Sequence, residues 1–187
     1  MGYRGEEISL KLNPFLFILI SFTTIAYAGV EEFVIQNHKL KLEIPRDWMA
    51  RTDMLGLPLA IVSPMQTDNN RVVISLAQAS QGDEKVLLGE SFIEASSKEF
   101  QGNKKQWLEK NKGHLVEFIP NEIIPLGKGH RALVLGYIYD LNGKRNTEKS
   151  YYIECGSRIY FGKILVNKQN EALMPLAHKT LESLQCF

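Results

Sequence analysis

The run His130 to Glu154, HRALVLGYIYDLNGKRNTEKSYYIE, decides the fold. Its first arm is apolar, Ala-Leu-Val-Leu-Gly-Tyr-Ile-Tyr over 132–139, and is rich in β-branched and aromatic residues. Asn142-Gly143 follows, the strongest short-range signal for a two-residue hairpin turn. The chain then returns over 148–154 through Tyr151, Tyr152 and Ile153. Gly156-Ser157 turns it again into a strand over 159–166, and 115–119 with 123–124 supplies a strand before it. Four strands joined by short turns make a meander, which is antiparallel and needs no crossover.

Outward from this meander the pattern stays regular. Upstream, 33–35 and 40–44 form a hairpin across Asn37-His38, ended by Pro45. Trp48 follows in a turn and is expected to plug the sheet edge. Residues 57–62 and 72–77 read as strands. A helical pattern starts near Glu84 with Leu87, Leu88, Phe92, Ala95, Phe100 and Leu108. Gly102-Asn103 is expected to break it, leaving a second piece over 104–110 with Gly113 as C-cap. Residues 167–184 form a last helix with Leu173, Leu176, Ala177, Thr180, Leu181 and Leu184 on one stripe. Helices grouped around an antiparallel sheet give the α+β class. The expected architecture is an α/β/α sandwich with a mainly antiparallel, meander-type sheet and the C-terminal helix packed on it.

The N-terminus belongs to a different kind of sequence. No charged side chain occurs from Pro14 to Ala28, and Ala26-Tyr27-Ala28 has the small residues that signal peptidase accepts before a cut. The apolar stretch is about 14 residues, short of the roughly 20 that span a bilayer as a helix. Residues 1–28 therefore read as a cleavable leader and 29–187 as a single globular domain. Glu6 and Glu7 neutralise Arg4 and Lys11, which suits a translation start near Leu10 better than one at Met1. The expected location is periplasmic or secreted, as a monomer with no membrane span after cleavage. The chain has 44% hydrophobic and 23% charged residues and a net charge of +1. That balance excludes disorder and argues against a nucleic-acid partner, which usually requires a basic excess.

Export sets the expectation for the cysteines. Cys155 and Cys186 are the two in the chain, and an oxidising compartment preserves one bridge between them. It would close a loop of about 30 residues and contribute roughly 3–4 kcal/mol in the chain-entropy account. No Cys-x-x-Cys occurs, so redox catalysis is not expected.

Catalytic chemistry finds little to stand on. His38, His114, His130 and His178 have no helical ligand spacing among them. His178 and Glu182 share a helix face as a solvated ion pair. Gly89-Glu90-Ser91-Phe92 lacks the second glycine of a nucleophile elbow, and Gly127-Lys128-Gly129 lacks the spacing of a phosphate loop. No catalytic residue, cofactor or metal site is expected. Lys104, Lys105 and Lys110, with Lys112, surround Trp107 and form a candidate docking face for an anionic partner. Tyr137 and Tyr139 share one strand face.

Several features together carry a resemblance. An extended strand runs into Ile44-Pro45-Arg46-Asp47-Trp48, followed by two strands and an amphipathic helix. The meander then carries Gly129-His130-Arg131-Ala132, Tyr137 and Gly156-Ser157-Arg158-Ile159-Tyr160, and the last helix ends in Leu181-Glu182-Ser183-Leu184. Over nearly all of 31–187 the chain resembles the PsbP-like superfamily of α/β/α sandwiches. That resemblance implies an exported, non-enzymatic accessory or interaction module that binds a protein or cell-envelope component. The alternative is an exported small-molecule or metal-binding domain with weak hydrolytic activity.

Overall fold

A computed structural model describes residues 27–187 apart from 55, 66–70, 80–87 and 157. The leader read over 1–28 lies outside the described residues, except for the backbone of Tyr27 and Ala28. The chain opens with the hairpin β1 (Tyr27–Ile35) and β2 (His38–Pro45). Its turn sits one residue earlier than expected, at Gln36 and Asn37, which have φ of 48° and 68°. Asn142 and Gly143 take φ of 52° and 72°, a primed turn whose twist matches the paired strands it joins.

The main sheet contains β3 (Met49–Met54), β4 (Leu57–Val62), β5 (Val73–Gln78), β6 (His114–Pro125), β7 (Arg131–Leu141), β8 (Lys144–Cys155) and β9 (Arg158–Asn167). Their order in space is β3-β4-β5-β9-β8-β7-β6, with every neighbouring pair antiparallel. Helix α1 (Glu90–Lys110) carries the chain from β5, inside the sheet, to β6 at its far edge. A 3₁₀ turn (Lys168–Leu173) and α2 (Met174–Glu182) lead to a two-residue strand, β10 (Gln185–Cys186). β10 pairs with β2, completing a small sheet β1-β2-β10.

The small sheet and α2 cover one face of the main sheet. Phe33, Ile35, Leu40, Leu42 and Ile44 meet Leu59, Ile61, Ile74, Leu76, Tyr151, Ile153 and Ile164 there, with Leu181 from α2. α2 can lie close because β9 presents Gly162: a Cβ there would stand 3.3 Å from Leu181 Cδ1. Helix α1 covers the opposite face at the β6–β7 end, setting Phe100 and Leu108 against Leu133, Leu135, Tyr137 and Tyr139. The α+β sandwich expected from the sequence is present. Trp48 is half-buried against the first core, below the turn that its N–H closes on the Pro45 carbonyl at 3.1 Å.

Four local readings are corrected. α1 runs unbroken through Gly102, which is exposed and has open space where a side chain would be, so nothing there forces a kink. Gly113 is not the left-handed cap; Lys112 takes that conformation, with φ of 54°. Gly113 is needed for close approach instead, since a Cβ would meet Leu108 Cδ2 at 2.7 Å and the Asp140 carbonyl at 3.2 Å. β6 is one strand with register shifts between Leu115 and Glu117 and between Ile119 and Glu122, where the sequence suggested two pieces. The expected final helix is a 3₁₀ turn and a nine-residue α-helix, followed by β10.

Candidate functional site

The face under α1 holds the docking residues read from the sequence, and it divides them. Trp107, near the C-terminal end of α1, is 40% exposed. Its ring stands edge-on to Tyr139, with centroids 5.8 Å apart at 89°. Tyr139 stacks on Tyr137 at 4.8 Å and 14°, as two residues on one strand face can. Lys105 and Lys110 are exposed on the helix, with the Lys105 ammonium 5.8 Å from the Phe118 ring centre. Lys104 turns inward: Nζ lies 2.6 Å from Glu148 Oε1, and 5.4 and 5.2 Å from the Phe100 and Tyr137 ring centres. Its charge is committed inside the fold, so the outward basic surface beside Trp107 consists of Lys105, Lys110 and Lys112.

Glu148 is the centre of this cluster and was not singled out from the sequence. It is buried, with Lys163 Nζ 3.5 Å away and the Tyr137 hydroxyl donating to Oε2 at 3.5 Å. Burial, and after it the negative charge of Glu148, raises the pKa of Tyr137 well above the ordinary phenol value. The same two causes push Tyr139 up to about 12. Both phenols stay protonated, so the acid keeps its donor and its cations.

A second polar chain runs along the opposite face. The Tyr151 hydroxyl lies 2.9 Å from His178 Nδ1, and His178 Nε2 lies 3.4 Å from Glu182 Oε1. The Glu182 carboxylate can only accept, which favours the ring proton on Nε2 and leaves Nδ1 to accept from the Tyr151 hydroxyl, whose pKa burial raises. Burial also lowers the pKa of His178, against the opposing pull of Glu182. The order of groups matches that of an oriented base, but the hydroxyl at its end is wholly buried. The chain therefore braces α2 on β8. The helix-face pairing of His178 with Glu182 expected from the sequence is present, and it continues inward to Tyr151.

The third grouping lies at one end of the sandwich. Cys155 of β8 and Cys186 of β10 are bridged, with Cα atoms 6.0 Å apart. The bridge ties the main sheet to the small one, rather than to α2 itself. The ligand atoms of His130, Cys155 and Cys186 lie within 4.8 Å of one another. Beside them opens a cleft of about 340 Å³ lined by Gly129, His130, Arg131, Glu154 and Gly156. Arg131 and Glu154 close one wall of that cleft as an ion pair of 2.6 Å.

The Asn142-Gly143 turn held the signal for what the sequence reading missed. Counting outward from the Leu141–Lys144 pair places Tyr137 opposite Glu148, as observed. One step beyond Arg131–Glu154, the same count places His130 opposite Cys155. Among the described residues, no helix is long and apolar enough to cross a membrane.

Among the described residues, element order, two sheets and two α-helices define the class as an α+β sandwich, and comparison with solved structures narrows it. No known family profile matches the sequence, and no curated protein is detectably similar to it in sequence. Solved structures share the fold, two of them over most of their length. Cyanobacterial PsbP (CyanoP) from Synechocystis sp. PCC 6803 superposes with a TM-score of 0.57 at 10% identity, covering 90% of this chain and 99% of its own. LpqN of Mycobacterium tuberculosis, described as involved in cell envelope biogenesis, gives 0.54 at 17% identity, covering 84% and 91%. The fold of this chain is PsbP-like.

Proposed function

We propose that this chain is an exported, non-enzymatic accessory module that docks a protein or cell-envelope component on the α1 face. Trp107 is the anchor, with Lys105 and Lys110 beside it and Lys104 fixing the helix from beneath. The observation that carries this reading is the state of Trp107: 40% exposed, yet held edge-on by a buried tyrosine. A ring already fixed in place loses little side-chain entropy on binding, which is how interface anchors gain affinity. The lysines beside it favour an anionic partner. The Cys155–Cys186 bridge is of the kind that persists in oxidising compartments, in keeping with export. The envelope role given for LpqN, a protein of the same fold, supports the direction of the reading. In it, residues 1–28 are a leader removed before the domain reaches its partner.

The test is site-specific photo-crosslinking in cells, with the probe at Gln106 beside the anchor and, as control, at Glu31 on β1. A discrete adduct at Gln106, lost when Trp107→Ala and Lys105→Glu are combined, is the expected result. Equal adducts at both positions, or an adduct indifferent to Trp107, would overturn the docking site. Intact mass of the extracytoplasmic protein tests the leader, with Gly29 as the expected first residue.

A further inference from the structure

We infer that His130, Cys155 and Cys186 form a redox-gated site for a thiophilic metal ion of the zinc(II) class, closed as the disulfide and open as the dithiol. A bridge needs two sulfurs and nothing else. Here an imidazole stands as a third metal-ligating donor within 4.8 Å of both. The three residues come from separate parts of the chain, brought together by the hairpin register of β7 on β8 and by the pairing of β10 with β2.

The surroundings suit an ion. Cys155 is 5% exposed and walls the site from the core side. His130 opens onto the cleft of about 340 Å³, which admits the ion and leaves room for water as the fourth ligand of a tetrahedral shell. The Cα separation of 6.0 Å lets both thiolates reach one ion at about 2.3 Å, with the imidazole nitrogen at about 2.1 Å. β8 is twelve residues long and fixed between two strands, whereas β10 has two residues, so the adjustment falls on Cys186.

The chemistry balances with a thiol as the named reductant. Two thiols give two electrons and two protons to the Cys155–Cys186 bond, which breaks to two thiols as the donors join in a disulfide. The ion then displaces both protons, forms two metal–sulfur bonds, and takes the lone pair of His130. Two thiolates neutralise a dication, so no further acid is required. The docking face under α1 plays no part, and either reading can fail without the other.

Cobalt(II) is the probe, added without oxygen to the reduced, desalted full-length protein. The expected result is one cobalt per chain with a thiolate-to-cobalt charge-transfer band that the oxidised protein lacks. His130→Ala should weaken binding by more than the about 10–100-fold lost when an outer-shell partner is removed. His38→Ala should leave it unchanged. Circular dichroism guards against unfolding of the reduced chain: if reduction loosens the fold, cobalt should restore it in the wild type and fail to do so in His130→Ala. A reduced protein that gives no band, or a band whose affinity is the same with and without His130, overturns the site.

Discussion

The two faces of the seven-stranded sheet are built on opposite terms. Toward the small sheet and α2 the contacts are mainly aliphatic, with Leu40, Leu42, Ile44, Leu59, Ile74 and Leu181 all wholly buried and Tyr151 and Tyr160 set among them. Toward α1 the sheet offers tyrosines, a buried carboxylate and Lys163, and the helix brings Lys104 to that carboxylate. Only Phe100 and Leu108 of the 21-residue helix α1 are buried. The Ser150 hydroxyl, also on that face, is buried with no hydrogen-bond partner among the described residues. The contrast teaches that the first face supplies stability through area removed from water, whereas the second sets the seat of α1 by directional contacts. A helix held by a few polar anchors can carry an exposed aromatic ring without the domain depending on it.

This contrast can be broken by experiment. The largest effect is expected on the aliphatic face, where Leu42→Ala should cost about 4 kcal/mol, in the upper part of the range for a fully buried leucine. Urea unfolding measures it; a loss below about 1 kcal/mol would mean that this face is not the main core. Cys186→Ser comes next. With the cysteines 31 positions apart it should cost about 3.5 kcal/mol, read as a lower urea midpoint for the variant than for the oxidised wild type.

On the α1 face, Glu148→Gln should cost about 2 kcal/mol, less than for a sealed ion pair because Lys104 retains 18% exposure and can swing toward water. Adding Lys104→Met should recover much of that loss. A double-mutant cycle with no coupling would remove the pair as the seat of α1. Trp107→Ala should shift stability by less than about 1 kcal/mol, the scale of one edge-to-face aromatic contact, while abolishing the Gln106 crosslink.

The smallest effect concerns pH. Burial depresses the pKa of His178 below its ordinary 6.5, so the unfolded chain takes up that proton more readily than the folded one. The stability this contributes is complete above the unfolded value and is lost as pH falls through 6.5 toward the lower folded value. His178→Gln should therefore lose less stability than the wild type between about pH 7.5 and about pH 5.5. Equal losses would place the acid sensitivity elsewhere.

How much of this was legible follows from what each element asks of its residues. The meander was readable because β7 alternates between two buried faces and Asn142-Gly143 fixes its turn. β3 was not: Met-Ala-Arg-Thr-Asp-Met is an edge strand with one half-buried position, and an exposed edge makes no hydrophobic demand. β10 escaped because two residues carry no period, and only tertiary pairing makes them a strand. At the docking face, Trp107 and the lysines were legible as a cluster in sequence. The Lys104–Glu148 pair was not, since its members lie 44 residues apart and only the folded register joins them. The disulfide was legible from compartment and count, whereas its neighbour His130 required the hairpin to be counted to its last rung.

The Cys155–Cys186 bridge also makes the domain a mechanical object with a slack segment. Tension applied along the chain passes from Cys155 straight to Cys186, and the intervening residues, α2 among them, carry none of it. At roughly 3.4 Å per residue, about 100 Å of contour stays locked when the rest of the domain is pulled straight. Reduction returns that length to the chain, so the extension at rupture reports the redox state of a bond at the far end of the sandwich from the fold's main turn.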